Sequence, residues 1–285
     1  MKPDCPLQIV TTCIRRDLPI LGITVRQLRK NVPCKDIFVI APGRECATIQ
    51  ARLGKAVKVM AEESFLPGVT LAALERLAVP CFPQAAGWYY QQLLKLQFAS
   101  FDPAEDYCLI WDADTVPLRP MRFFDDEGRM LLTKAKEYHP PYFETYRRLL
   151  GAEPNREFSL IAQHMVVQKS VAREMLQRIE QHVAGADSWP WKIMRSLPET
   201  GDNLFSEYET YGHYIKAAHP TRIRCVERNW LRDPQQNRGC ALPTPADLTA
   251  LAQKYDYMAF ERAAPRWKLW GRRAIRTIRR LLKTV

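Results

Sequence analysis

Tyr107-Cys108-Leu109-Ile110-Trp111-Asp112-Ala113-Asp114-Thr115-Val116-Pro117-Leu118 is the stretch from which the rest of the chain is read. Five mostly apolar residues without a charge have the pattern of a strand buried on both faces, and they deliver two carboxylates to its end. Asp112 and Asp114 are two apart, so on an ideal strand they face the same side. If the strand ends between them, the turn still aims both at one cation. Hard oxygen ligands with open positions suit Mg²⁺ or Mn²⁺ holding a substrate's phosphates. An Asp-X-Asp pair also marks ordinary solvated turns. The apolar strand before it, and Pro117 and Pro120 after it, give this one the context of a ligand-binding strand end.

Working outward, Leu7 to Thr12 reads as a first strand, and Leu18 to Arg29 as a helix with Leu18, Leu21, Val25 and Leu28 at helical spacing. Asp36 to Ala41 is a second strand closed by Pro42-Gly43, and Val57 to Met60 a short third. A helix over Trp88 to Phe101 leads directly into the acidic strand. Beyond it, strands are expected at Met130 to Lys134 and Leu160 to Val167, and helices within Tyr138 to Leu150, from Ser170 to about His182, and from Phe205 to Ile215. Alternating strands and helices with continuously apolar strands imply an α/β fold, a largely parallel sheet covered on both faces. Ligands then bind at the carboxyl ends of the strands, where Thr11-Thr12, Pro42-Gly43 and Asp112/Asp114 share one rim. No Gly-X-Gly-X-X-Gly and no Gly-Lys-Ser/Thr loop is present, so the usual dinucleotide and P-loop devices are absent.

A chain of 285 residues, 47% hydrophobic and 10% aromatic, is a folded protein with a sizeable core and not a disordered one. Its eight cysteines are scattered without Cys-X-X-Cys pairs or zinc-ligand spacing and read as reduced thiols. The stretch after Lys2 is broken by Gln8, Thr11, Thr12 and Arg15-Arg16-Asp17, so it has no signal-peptide core, and no apolar run reaches a membrane span. The expected location is the cytoplasm. Of the net charge of +11, nine positive residues lie between Arg262 and Val285 with no acid among them, which leaves the body near +2. The body therefore lacks the basic surface of a nucleic-acid-binding domain.

The β-α-β opening, the helix Gly87-Trp88-Tyr89-Tyr90-Gln91-Gln92-Leu93-Leu94-Lys95, the strand end Trp111-Asp112-Ala113-Asp114 and the segment Phe205-Ser206-Glu207-Tyr208-Glu209 together resemble GT-A-type glycosyltransferases. More narrowly, the chain is similar to a bacterial group catalogued mainly as a domain of unknown function. The resemblance runs from about residue 7 to 230. It implies a GT-A-like mixed, largely parallel sheet and transfer of a sugar from a nucleotide donor, with Mn²⁺ or Mg²⁺ on the diphosphate. Asp114 would be the principal ligand and Asp112 a metal or ribose contact. Thr11, Thr12 and Arg15 would lie near the nucleotide, and Lys95 would reach the phosphates. A third ligand in many such enzymes is a late histidine. His164, His213 and His219 compete for that place, with His219 favoured. Glu207 and Glu209 are candidates for acceptor binding or for a general base. Equally, they are the acids of a helix N-terminus capped by Ser206. Gln91, Gln92, Tyr89 and Trp88 suit sugar contacts, and Trp88 equally suits a core.

Residues 1–230 are thus expected to form the transferase domain, 231–261 a Pro-containing extension, and 262–285 a basic amphipathic helix. In that tail Trp267, Trp270, Ala274, Ile278, Leu281 and Val285 form an apolar stripe flanked by Arg272, Arg276, Arg279 and Lys283, a pattern for an anionic membrane surface. The expected partners are a nucleotide-sugar donor, a glycan or glycolipid acceptor and that membrane surface. Two other readings stay open. Asp112-Ala113-Asp114-Thr115-Val116 loosely matches the nucleophile motif of haloacid-dehalogenase phosphatases, with Asp112 attacking phosphorus, although that motif normally lies in a first strand. The basic tail alone would also suit a non-catalytic membrane adaptor.

Overall fold

The computed structural model describes residues 2, 4–77, 85–101, 105–199, 203–232 and 242–260. The tail helix expected over residues 262–285 lies outside them. The opening unit is strand β1 (Leu7–Thr12), helix α1 (Leu18–Asn31) and strand β2 (Cys34–Ala41). Helix α2 (Gly43–Leu53), strand β3 (Lys58–Ala61) and helices α3 (Glu62–Phe65), α4 (Leu71–Glu75) and α5 (Ala86–Ser100) then lead to β4 (Tyr107–Trp111), the acidic strand. Next come β5 (Thr115–Pro117), β6 (Met130–Thr133), α6 (Pro140–Leu150), β7 (His164–Gln168) and α7 (Lys169–His182). The described chain closes with α8 (Trp189–Arg195), α9 (Glu207–Ala218), β8 (Ile223–Val226), β9 (Trp230–Arg232), α10 (Pro245–Leu251) and β10 (Tyr257–Ala259).

The central sheet has the order β3-β2-β1-β4-β7. Its first four strands are parallel, and β7 runs antiparallel to β4. From β1 through α1 to β2, and through α2 to β3, the chain steps one way across the sheet; from β3 to β4 it steps back. Because parallel crossovers are right-handed, α1 and α2 cover one face and α5 the other. The alternation of β1 agrees with this. Lys169 Nζ of α7 donates to Gln8 Oε1 at 3.0 Å, and Thr12 Oγ1 donates to Gln91 Oε1 of α5 at 3.1 Å, so Ile9 and Thr11 point to the opposite face. Ile9, Val10, Ile37, Val39, Leu109 and Ile110 are all buried, as a doubly covered sheet requires.

Helix α1 serves two cores. Leu18, Leu21, Val25 and Leu28 join the main one, while Ile20 and Ile23 pack with Val116, Leu118, Met258 and Phe260 in a smaller one. Each such side chain, fully buried, contributes about 1.5–3 kcal/mol. This second core ties the segment read as an extension into the fold, since β10 pairs with both β5 and β9. These three-residue strands are too short for periodicity to reveal. The strand expected over Leu160 to Val167 starts only at His164. Glu209 takes the Leu160 N–H at 2.8 Å, and Gln163 adopts a left-handed φ of 64°, which breaks the extended run. Among the described residues no helix is long and apolar enough to cross a membrane.

Candidate active site

β1 and β4 are neighbours at the point where the strand order reverses, since the chain runs outward from β1 to β2 and β3 and then returns to β4, and in open α/β sheets such a switch point opens a crevice at the carboxyl ends of the strands. The Asp112-Ala113-Asp114 turn sits there, level with the end of β1. It is held at every residue. The Asp112 N–H donates to Gln163 C=O at 3.0 Å, and its C=O accepts from Thr115 N–H at 3.0 Å. Ala113 C=O accepts from Thr24 Oγ1 at 2.9 Å, and Asp114 C=O accepts from Phe260 N–H at 2.8 Å. Beneath the turn, Trp111 is fully buried, stacks on the His164 ring at 4.8 Å and donates its indole N–H to Thr115 C=O at 2.6 Å. Such support fixes where two carboxylates stand before any ligand arrives.

The Asp112 carboxylate is fixed as well. Its Oδ1 accepts from Lys95 Nζ at 2.5 Å and from Tyr208 Oη at 2.8 Å. Lys95 Nζ also donates to Glu207 Oε1 at 2.9 Å and lies 5.1 Å from the centre of the Tyr208 ring. The Lys95 and Glu207 side chains are each 4% exposed, and Asp112 is 21% exposed. Burial alone depresses an ammonium, but Asp112 and then Glu207 outweigh it, so the Lys95 pKa ends above its ordinary value and the side chain stays charged. Burial, with the Asp112 charge adding to it, raises Glu207 against the opposing pull of Lys95. Burial, then Asp112, holds the Tyr208 hydroxyl protonated, so it remains a donor.

The remaining expected residues divide. Thr12 and Gln91 meet at the crevice, and Arg15 lies exposed just beyond β1 with its backbone N–H on Glu45 Oε2 at 2.5 Å. Thr11 does not join them: its side chain is fully buried on the other face of β1. Lys95 does not face the crevice as a phosphate ligand but is buried between two carboxylates. Gln92 is structural too, since its Oε1 accepts the Glu207 N–H at 3.0 Å and so caps α9, beside Ser206 Oγ, which accepts the Glu209 N–H at 3.3 Å. Glu209 points away from Glu207. Its Oε2 accepts from Leu160 N–H at 2.8 Å and lies 3.4 Å from His213 Nε2, which buries it under the Leu160 to Gln163 loop. Gly212 allows that approach, because a Cβ there would stand 2.4 Å from Leu160 Cδ1.

His219 follows α9 at its far end and bonds Glu174 Oε2 at 2.8 Å, so the length of the helix separates it from Glu207 and the Asp112 cluster. His164 is buried behind Trp111, and its pKa is pushed well below the ordinary value by burial and then by Arg228. His213 is buried against Glu209. Among the described residues, no group of three or more His, Cys, Asp or Glu is arranged to hold a metal ion. Tyr208 and Gln163 are the site residues whose roles the sequence reading did not assign. Tyr208 lies within the quoted Phe205 to Glu209 segment, whereas a left-handed glutamine leaves no mark in a sequence.

A family model, for a family of unknown function named DUF6492, matches residues 12–240, well over half of the chain. The chain belongs to DUF6492. No curated protein sequence matches this DUF6492 chain. Among solved structures it is similar to the galactosyltransferase LgtC in complex with donor and acceptor sugar analogs, with 12% identity, a TM-score of 0.48, and 92% of this chain and 89% of that one covered. It is similar also to mouse xyloside xylosyltransferase 1, with 10% identity, a TM-score of 0.47 and coverage of 92% and 99%. A third is the bifunctional glycosyltransferase WbbM, with 11% identity, a TM-score of 0.46 and coverage of 93% and 47%.

Proposed function

We propose that this DUF6492 chain is a metal-dependent glycosyltransferase that moves a sugar from a nucleoside-diphosphate donor to a hydroxyl of a polysaccharide or glycolipid precursor. The observation that carries this reading is the Asp112–Asp114 turn, pinned at each residue in the crevice between β1 and β4. The residues suit Mn²⁺ or Mg²⁺. Asp112 Oδ1 is occupied by two donors, which orients the rest of that carboxylate, and Asp114 lies partly exposed beside it. Two carboxylates from the protein, with diphosphate oxygens and water completing the shell, are the usual complement for these cations. When bound, such a cation neutralises charge on the leaving diphosphate.

In the reaction the bond from the sugar's anomeric carbon to the phosphate oxygen breaks and its electrons leave with the nucleoside diphosphate, a bond from that carbon to the acceptor oxygen forms, and the acceptor hydroxyl's proton passes to a phosphate oxygen of the departing diphosphate or to water. Thr12, Gln91 and Arg15 are assigned to the nucleotide end of the crevice. Lys95, Tyr208 and Glu207 are positioning residues that hold Asp112. Neither Glu207 nor Glu209 is retained as the base, since Glu207 is committed to Lys95 and Glu209 to the Leu160 N–H. The phosphatase reading places its nucleophile after a first strand, whereas Asp112 follows the fourth. Contact of residues 262–285 with an anionic membrane belongs to the same proposal and suits a lipid-linked acceptor.

The test is thermal unfolding with UDP, GDP, CMP and ADP, each with and without Mn²⁺, for the wild type and Asp114→Ala. One diphosphate should raise the Tm in a metal-dependent way by mass action, and the shift should vanish in the variant. A folded wild type with no shift for any nucleotide in the presence of Mn²⁺ would sink the proposal.

A further inference from the structure

Three cations gather at the other end of the sheet. Lys30, Arg122 and Arg228 line an open cavity of about 570 Å³ together with Asp4, Val32 and Pro33. Val32 and Pro33 immediately precede β2, and the Leu7 N–H donates to Pro33 C=O at 3.0 Å, so the cavity lies at the amino ends of β1 and β2. The Asp112 turn is level with Thr12, five residues further along β1, which at about 3.3 Å per residue is about 17 Å away.

Arg228 is the informative member. Its Nε donates to Thr133 Oγ1 at 3.2 Å, its Nη2 donates to the Arg122 C=O at 2.6 Å, and its Cζ lies 5.8 Å from the centre of the Phe123 ring. All three partners are neutral, and among the described residues Arg228 makes no ion pair. Burial pushes its pKa below the ordinary arginine value, against smaller contributions from Tyr257 and Asp256, as expected of a cation short of counter-charge. Lys30 likewise makes no ion pair among the described residues. Arg122 has Asp4 at 3.3 Å, with both side chains mostly exposed. A solvated face explains Lys30, which also ends α1 where the helix dipole favours a cation, and it explains Arg122. It does not explain a guanidinium wedged between Thr133 and Phe123, with two of its nitrogens already spent on fixing its orientation toward a cavity.

We infer that this cavity binds a phosphate-sized oxyanion, with Arg228 as the fixed donor and Lys30 and Arg122 as exposed clamps. A guanidinium presents paired N–H groups that match phosphate oxygens, and an anion here supplies the counter-charge that Arg228 lacks. The site does not depend on the transferase reading, and it is separate from the crevice at Asp112. The same phosphate chemistry is available as a free ion or as a phospholipid headgroup, and the experiment separates the two.

Isothermal titration calorimetry on the full chain would use inorganic phosphate in one arm and phosphatidylglycerol vesicles, against phosphatidylcholine vesicles, in the other. The proteins are the wild type, a Lys30→Ala/Arg122→Ala double variant whose changed side chains are exposed, and Asp112→Asn. Expected is saturable binding to one or both phosphate probes, weakened about tenfold or more in the double variant through loss of charged hydrogen bonds and unchanged in Asp112→Asn. Binding of free phosphate assigns a soluble ligand; binding of phosphatidylglycerol vesicles alone assigns a headgroup. No binding of either probe, or binding equally strong in the folded double variant, as the basic residues 262–285 alone would give, overturns the site.

Discussion

The two ends of helix α9 carry the same kinds of residue and do opposite things with them. At the amino end Glu207 and Tyr208 face Lys95 and Asp112, with the Lys95 and Glu207 side chains 4% exposed. At the carboxyl end Tyr214 and His219 both bond Glu174, whose side chain is 47% exposed. About 18 Å of helix lies between them at 1.5 Å per residue. At each end a carboxylate meets a tyrosine hydroxyl and a basic side chain. Only where water is excluded does removing one partner strand another, so only the amino end fixes the geometry of the Asp112 turn.

Breaking the buried end should have the largest effect. Lys95→Met leaves Asp112 and Glu207 as neighbouring carboxylates without their shared cation and should cost about 3–5 kcal/mol in urea unfolding. Adding Glu207→Leu should recover part of that loss, because it removes the stranded charge. Nucleotide binding should fall with the single variant although Lys95 does not face the crevice, since Asp112 loses its clamp. A cost below about 1 kcal/mol would place this pair with surface ion pairs and erase the contrast.

The two ends should also respond to pH with opposite sign. Glu207 has a folded pKa above its ordinary 4.5, through burial first, so the folded state binds its proton more tightly than the unfolded state. Stability therefore falls as pH rises from about 4.5 through that raised value, and Glu207→Gln should gain on the wild type across the same window. Glu174 has a folded pKa below 4.5, through the Tyr214 hydroxyl first. Its contribution is present above 4.5 and lost as pH falls through the folded value, so Glu174→Gln should be the weaker protein at neutral pH and draw level on acidification. Screening at an exposed site limits that second effect to a few tenths of a kcal/mol. Urea midpoints for the three proteins from pH 3 to 8 give both slopes, and slopes of the same sign would contradict the assignment.

What was legible in the sequence follows from how local each signal is. The β1-α1-β2 unit and β4 announce themselves by apolar runs and helical spacing within a dozen residues, and the Asp112/Asp114 pair rides on the best of them. Alternation says that Thr11 and Thr12 face opposite sides, but only the packing of α5 on β1 says which side is the crevice. Lys95 and Glu207 lie 112 residues apart, so neither carries a local mark of the other, and each alone reads as an ordinary charged residue on a helix. β5 and β10 are too short to show a period. Gln163 holds a left-handed backbone that a glycine would have advertised. His219 carries no local mark of where it lies relative to Asp112, and it is the length of α9 that sets it at the end remote from Glu207.

The smallest expected effect is the sharpest test of that last point. His219→Ala removes an imidazole whose partner, Glu174, is half in water and keeps its bond from Tyr214 at 2.6 Å. The loss should be within about 1 kcal/mol. The Mn²⁺-dependent Tm shift with the preferred nucleotide should be unchanged, because nothing at the amino end of α9 senses the substitution. If instead that shift disappears while the variant unfolds as cooperatively as the wild type, His219 is a ligand. The carboxyl end of α9 must then swing to the crevice when donor binds, which would require the Glu174 contact to break and α9 to part from α7. A surface pair worth tenths of a kcal/mol does not oppose that motion. The buried Tyr211, which accepts the Gln168 N–H at 2.8 Å through its hydroxyl, does, and it lies on the same helix between the two ends.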